Sequence, residues 1–198
     1  MGDLALFDFD GTITRHDTFF GFNTFARGRT RVAAAEVRAV AAGLRHGCFD
    51  TSFLKEVFVG ALWSGTPVIE YRELARRYAE TLDADVFPDA VRALAWHAER
   101  SDEVYIVTAS MRDWPAFWGE PRGISVIGTE LEEKDGLLTG RFATPNCRGP
   151  EKVVRIRAAI DIEQVRRGGR RIFAYGNSAG DREMLALADV PVYRWKRV

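Results

Sequence analysis

Near the start of the sequence an apolar run breaks into acid: Leu4-Ala5-Leu6-Phe7-Asp8-Phe9-Asp10-Gly11-Thr12. Four consecutive apolar residues leave no polar face, the pattern of a strand covered on both sides in a parallel sheet. Two acids and a glycine then turn the chain out of the sheet. In parallel α/β sheets ligands gather beyond the carboxyl ends of the strands, so the residues that follow each apolar run carry the functional information.

Working outward, residues 14 to 83 turn helical, with segments near 17–27, 30–46, 50–63 and 68–82 separated by Gly28, Gly47, Gly65 and Pro67. Four short helices predict a small bundle. After Pro88, helix and strand alternate. A helix over 88–100 precedes Val104-Tyr105-Ile106-Val107, which ends in Thr108-Ala109-Ser110. A third strand is predicted over 124–131, with an antiparallel return over 137–144 after the turn Lys134-Asp135-Gly136. Gly149-Pro150 opens a helix that closes at Gly168-Gly169, followed by Ile172-Phe173-Ala174-Tyr175-Gly176, a helix over 181–188 and a last strand near 190–192. The alternation predicts an α/β fold, an open parallel Rossmann-like sheet with helices on both faces. Residues 1–13 and 85–198 then form the α/β core, and 14–84 an inserted helical cap.

Composition narrows the class. Of 198 residues 46% are hydrophobic, enough for a packed core and too many for a disordered chain. The 28 basic and 28 acidic residues cancel, which argues against a nucleic-acid partner. Cys48 and Cys147 make neither a disulfide framework nor a C-x-x-C metal motif. The acidic start Met1-Gly2-Asp3 is unlike a secretion signal, and no apolar stretch approaches the roughly 20 residues of a transmembrane span. A soluble, cytoplasmic protein is expected.

The predicted strand ends are polar. They deliver Asp8 and Asp10, then Thr108 and Ser110, then Asn177, Ser178 and Asp181, while a helix start delivers Lys152. Asp8 and Asp10, two apart, point to one side and repel, so the pair invites a cation. Oxygen ligands without His or Cys suit Mg²⁺, with Asn177 and Asp181 completing the shell. Lys152 stands in the first turn of its helix, where the helix dipole disfavours a cation by roughly 0.3–1 kcal/mol. Such a broken local rule marks a site. The lysine, the free N–H groups of the helix start and the Thr108 hydroxyl would together receive an anion. Singly, each acid or hydroxyl reads as a turn or helix cap and Lys152 as a solvated side chain. Jointly and in this order they describe a phosphoryl group held against Mg²⁺.

Asp8-Phe9-Asp10-Gly11-Thr12, Thr108, Lys152 and Gly176-Asn177-Ser178-Ala179-Gly180-Asp181 resemble, in order, the four motifs of the haloacid dehalogenase superfamily, over about two thirds of the chain. The helical insert between the first two motifs and the stretch from Asn146 to Lys152 are similar to the phosphoserine-phosphatase-like branch. The resemblance implies a Mg²⁺-dependent phosphomonoester hydrolase acting on a small phosphorylated substrate. Asp8 would be the nucleophile that forms an aspartyl-phosphate, and Asp10 the general acid and base. Asp8, the backbone carbonyl of Asp10, Asn177 and Asp181 would hold the metal, while Thr108 and Lys152 neutralise the phosphoryl oxygens. Asp17 stands where that branch has its amine-binding acid, and Asp17 and Ser110 are the expected substrate contacts. The acid at position 10 separates phosphatases and phosphomutases from relatives that have Thr or no second acid there.

Three departures shape the expected substrate. Asn177 replaces the family's usual Asp, which weakens the metal shell. Leu54 and Glu56 stand where arginines of phosphoserine phosphatases would grip the serine carboxylate, and Thr108-Ala109-Ser110 replaces Ser-Gly-Gly. Phosphoserine is therefore not the expected substrate. Phe19, Phe20, Phe22 and Phe25 form either the core of the bundle or a seat for an apolar leaving group or lipid tail. Trp114 and Trp118 belong either to the core or to the site mouth. Arg27, Arg31, Arg38 and Arg45 fall within about 80° on a helical wheel, a solvated face or one that meets an anionic membrane surface. The competing classes are a lipid-phosphate phosphatase, a phosphotransferase, and a regulatory protein that accepts or binds phosphoryl groups without turnover. A phosphorylatable receiver domain does not fit the order of the acids.

Overall fold

The computed structural model describes residues 2–197. Its main sheet has the order β3-β2-β1-β6-β7-β8, built from β1 (Leu4–Phe7), β2 (Glu103–Met111), β3 (Ser125–Thr129), β6 (Ile172–Gly176), β7 (Val190–Tyr193) and β8 (Lys196–Arg197). All neighbours are parallel except β8, which returns antiparallel on β7. β1 lies at the centre between β2 and β6, and Leu4 to Phe7 are wholly buried. Alternation along β1 divides the interior. Ala5 and Phe7 join the core beneath α5 (Pro88–Glu99) and α6 (Asp113–Gly119), while Leu4 and Leu6 face α7 (Pro150–Ala159), α8 (Ile162–Arg167) and α9 (Arg182–Leu187). Each of the buried leucines and Phe7 contributes roughly 1.5–3 kcal/mol.

Between β1 and β2 run α1 (Thr18–Arg27), α2 (Arg29–His46), α3 (Thr51–Trp63) and α4 (Val68–Ala79). Asp17 caps α1 by accepting from the Phe20 amide at 3.1 Å, and Asp50 caps α3 through the Ser52 and Phe53 amides. Phe22 stacks between Trp63 and Trp114, joining the helical block to α6 in one continuous core.

Four sequence expectations change. The segment predicted as one strand over 124–131 ends as β3 at Thr129, and Leu131 begins β4 (Leu131–Lys134), which pairs with β5 (Leu137–Phe142) in a separate hairpin. That hairpin exchanges backbone hydrogen bonds with the α3–α4 loop, between Gly65 and Leu138 and between Leu138 and Thr66. The helix expected to run to Gly168 breaks at Ile160, where Asp161 caps α8. The basic stripe of four arginines also breaks, because Gly28 takes a positive φ of 81° and leaves Arg27 on α1. There Arg27 stacks over Trp63 and bonds Thr66 and Glu70. Trp114 and Trp118 are core residues and do not reach the site mouth. Among the described residues no helix is long and apolar enough to cross a membrane.

Candidate active site

The carboxyl ends of β1, β2 and β6, the three adjacent central strands, open into one cavity of about 690 Å³ closed on its far side by α1, α2 and α3. Asp8, Asp10, Asp17, Ser110, Lys152, Asn177 and Asp181 all line it. Thr108 is fully buried just behind, its hydroxyl accepting from the Ser110 amide at 3.0 Å and standing 3.4 Å from Asp10 Oδ2. The residues singled out in the sequence are therefore gathered at one place.

Lys152 is the hub. Its Nζ donates to Asp8 Oδ1 at 2.7 Å, to Asp181 Oδ1 at 2.6 Å and to the Val107 carbonyl at 2.7 Å, using all three ammonium hydrogens. Burial works against the ammonium, and the two carboxylates more than offset it, holding the lysine above its usual range. Asp181 feels the reverse balance. Burial raises it, but Lys152 and the Ser178 hydroxyl and amide hold it below the ordinary carboxylate range. Asp8 is left with the poorer share, because burial together with nearby Asp181 and Asp10 outweighs Lys152 and pushes its carboxyl up to about 7.

Asp10 is fixed from two sides. Oδ1 accepts from the Thr18 amide at 2.6 Å and the Thr18 hydroxyl at 2.5 Å, and Oδ2 accepts from Ser110 Oγ at 2.6 Å. Trp114 Nε1 donates to the same Thr18 oxygen at 2.9 Å, so an indole wholly inside the core steadies the acid. Gly11, at φ +74°, brings the loop against Asn177; a Cβ there would lie 2.1 Å from its Nδ2. The side-chain amide of Asn177 takes no hydrogen bond from the described residues, and only its backbone is engaged.

Two further cations, to which the sequence reading gives no role, line the cavity: Lys55 and, within the Asn146–Lys152 stretch, Arg148. Lys55 on α3 donates to the Ala109 carbonyl at 2.6 Å with its ammonium 4.5 Å from the Phe19 ring centroid. Burial lowers its pKa to about 8 against the pull of Asp10 and Asp17. Arg148 lies against Gly180, near the Asp181 end. Asp17, besides capping α1, is raised above the usual range by burial and by Asp10.

Among the described residues no three His, Cys, Asp or Glu side chains are drawn into a metal cluster. The reason is visible in the geometry, since Lys152 stands between Asp8 and Asp181 and the Asp10 carboxylate is turned to Thr18 and Ser110.

The chain and its fold have known counterparts. The sequence profile of the haloacid dehalogenase-like hydrolases matches residues 5–186. Protein CicA of Caulobacter vibrioides is 34% identical over 196 residues, spanning 96% of this chain and 85% of that protein. A Bordetella pertussis Tohama I protein of unknown function superposes with a TM-score of 0.73 at 22% identity, covering 98% of this chain and 90% of the other. A substrate-bound phosphoserine phosphatase superposes with a TM-score of 0.62 at 17% identity, covering 98% and 86%. A parallel sheet that brings Asp8, Lys152 and Asp181 together at its carboxyl edge is thus matched by a family profile over nearly the whole chain, and the protein belongs to the haloacid dehalogenase-like hydrolases.

Proposed function

We propose that the protein hydrolyses phosphomonoesters through a phosphorylated Asp8. The observation that carries this reading is the placement of Asp8 and Asp10 on one cavity, with the Lys152 ammonium fixed between Asp8 and Asp181. An acid poised to attack, an acid poised to exchange a proton and a buried cation are what in-line phosphoryl transfer requires.

A carboxylate oxygen of Asp8 forms the new P–O bond as the ester P–O bond breaks, and Asp10 delivers a proton to the departing alkoxide. Asp10 next takes a proton from water as that water attacks the aspartyl-phosphate, releasing inorganic phosphate and restoring the Asp8 carboxylate. Ser110, which lines the cavity, also serves Asp10. A hydroxyl both donates and accepts, so Ser110 Oγ can reverse as Asp10 Oδ2 gains and loses its proton. Lys152 faces the phosphoryl oxygens as charge builds on them, and the buried setting strengthens that attraction.

The donor set fits a hard divalent cation. The cavity lining contains no His or Cys, the Asn177 amide is open toward it, and Asp8 gains from a positive neighbour. Asp8, Asn177, the Asp10 carbonyl and Asp181 would hold Mg²⁺, which when bound supplies charge neutralisation to the phosphoryl group. On this reading α1 to α4 act as a cap that excludes water and selects the leaving alcohol.

The test is phosphate release from a panel of phosphomonoesters with and without Mg²⁺, for the wild type, Asp8→Asn and Asp10→Asn. Magnesium-dependent release that is lost in both variants supports the reading. Undiminished release by Asp8→Asn sinks it.

A further inference from the structure

We infer that the leaving alcohol is aliphatic, so that the substrate class is the phosphate monoester of an alkyl-chain alcohol; this rests on the hydrolase reading above. The cavity is much larger than a phosphoryl group, and its two ends differ in character. Beyond the carboxylates it is walled by Phe19, Phe58, Ala39 and Leu54 and, toward solvent, by Phe20 and Val40. Three of these side chains are buried, whereas Phe20 and Val40 are 44% and 52% exposed. The apolar lining does not stop at the mouth. Val37 and Leu44, three residues before and four after Val40 on α2, are each 70% exposed and continue the stripe outward.

Of the polar groups at this end, Lys55 and Asp17 are engaged in other bonds, while Glu36 on α2 and Thr51 on α3 also line it. Lys55 donates to the Ala109 carbonyl beside the Phe19 ring, and Asp17 accepts from the Phe20 amide as a helix cap. Leu54 turns into the cavity, whereas Glu56 accepts from the Phe142 amide at 2.9 Å. Arg148 lies against Gly180, at the phosphoryl end. An amino-acid leaving group would find no guanidinium beside Leu54 for its carboxylate, only the Lys55 ammonium already bonded to the Ala109 carbonyl, and would bury that charge against Phe19 and Phe58. An alkyl chain there meets mainly the carbon of Phe19, Phe20, Ala39, Val40, Leu54 and Phe58, with Glu36 and Thr51 as polar neighbours on α2 and α3. Solvated surface would not place Phe20, Val40, Val37 and Leu44 in a row leading from a charged cavity; their cost in exposed apolar area is recovered when a chain lies along them.

The test is a homologous series of alkyl phosphates, ethyl to decyl, held below their micelle concentrations, with phosphoserine alongside. Burial of each methylene at about 0.8 kcal/mol corresponds to roughly a fourfold gain in kcat/KM until the apolar wall is filled. Phosphoserine is expected near the ethyl ester or below it. A second readout, calorimetric binding of the matching alkylphosphonates, does not depend on turnover and is expected to show affinity rising with chain length and a negative heat-capacity change. In Phe20→Ser and Val40→Ser the ratio of decyl to ethyl kcat/KM falls several-fold. Cleavage with no dependence on chain length overturns the inference and leaves the hydrolase reading standing. Absence of cleavage of the alkyl esters while the phosphomonoester panel is hydrolysed overturns the inference and leaves the hydrolase reading standing, and flat phosphonate affinity overturns the apolar wall whatever the turnover. Phosphatidylcholine vesicles carrying phosphatidic acid separate the two sources of such a chain. Release from vesicles assigns a bilayer lipid, and release only from the dissolved esters assigns a soluble one, the chain class being upheld in both.

Discussion

Thr18 gives Asp10 both of its hydrogens: the amide and the hydroxyl reach one carboxylate oxygen at 2.6 and 2.5 Å. The first residue of α1 thereby locks the second acid of the loop after β1, and the Trp114 indole behind it closes the chain of bonds. Thr18→Val keeps the shape and the amide but removes the hydroxyl, leaving the Trp114 N–H unpaired in the core. We expect a loss of about 1–3 kcal/mol in stability, read by urea unfolding. We also expect kcat to fall roughly tenfold, the effect of a general acid released from its position, with KM little changed. A purely structural role would lower stability and leave kcat of the folded enzyme intact, so the fall in kcat at unchanged KM is the decisive readout. Serine at position 18 should restore both.

Lys152 is tied to two carboxylates inside the protein, and its removal strands both. Lys152→Met keeps most of the volume and deletes the charge. Breaking a buried ion pair by deleting one partner costs about 3–5 kcal/mol at neutral pH. The loss should shrink in acid, where protonated Asp8 and Asp181 no longer repel. A urea midpoint for Lys152→Met that is unchanged from wild type at pH 7 would show that the triangle is not an energetic unit.

Most of this site was legible because its residues end apolar strands. Leu4–Phe7 and Ile172–Gly176 are continuous apolar runs with no helical period, and both are central strands. Asp8, Asn177 and Asp181 could be placed on one edge from that alone. Lys55 was not legible, because one lysine in an amphipathic helix reads as solvated until the turn that buries it is known. Helix α6 escaped because it is only seven residues long and carries Pro115 in its first turn, so the i, i+4 pair Trp114 and Trp118 has too little helix around it to stand out. The phenylalanines divided according to depth. Phe22 went to the core, Phe25 packed at a tilt against Tyr78, and Phe19 and Phe20 went to the cavity, a partition that only packing decides.

Asp8 makes stability pH-dependent in the metal-free protein. Its carboxyl is raised to about 7 in the folded state, chiefly by burial, against 3.8 as the ordinary value. Between these limits the folded state holds more protons than the unfolded one, so stability falls as pH rises. The contribution is fully present below about pH 3.8 and lost as pH passes through about 7. Asp181, lowered by Lys152, works in the opposite sense below its ordinary value, so the clean window lies above about pH 4. Urea titrations of chelator-treated wild type and Asp8→Asn should diverge across that window, with the variant flatter. Parallel slopes would place the titration elsewhere.

Asn177 offers a gain-of-function test of the metal shell. Its side-chain amide has no partner among the described residues, and Asp has the same shape, so Asn177→Asp sacrifices no hydrogen bond and brings no new clash with Gly11. It adds a negative charge among Asp8, Asp10 and Asp181. Without a cation that crowding raises neighbouring carboxyls and destabilises the fold; with one, ligand charge strengthens the site. A unit charge a few ångströms from a divalent ion, even well screened, is worth more than the ~1.4 kcal/mol that corresponds to tenfold. We therefore expect calorimetric Mg²⁺ affinity to rise at least roughly tenfold, and the Mg²⁺ needed for half-maximal phosphate release to fall in step. The variant should also be less stable than wild type in chelator and gain more from added Mg²⁺, a crossing of two unfolding curves that needs no turnover to observe. Equal Mg²⁺ affinity in the two proteins would mean that residue 177 does not face the ion.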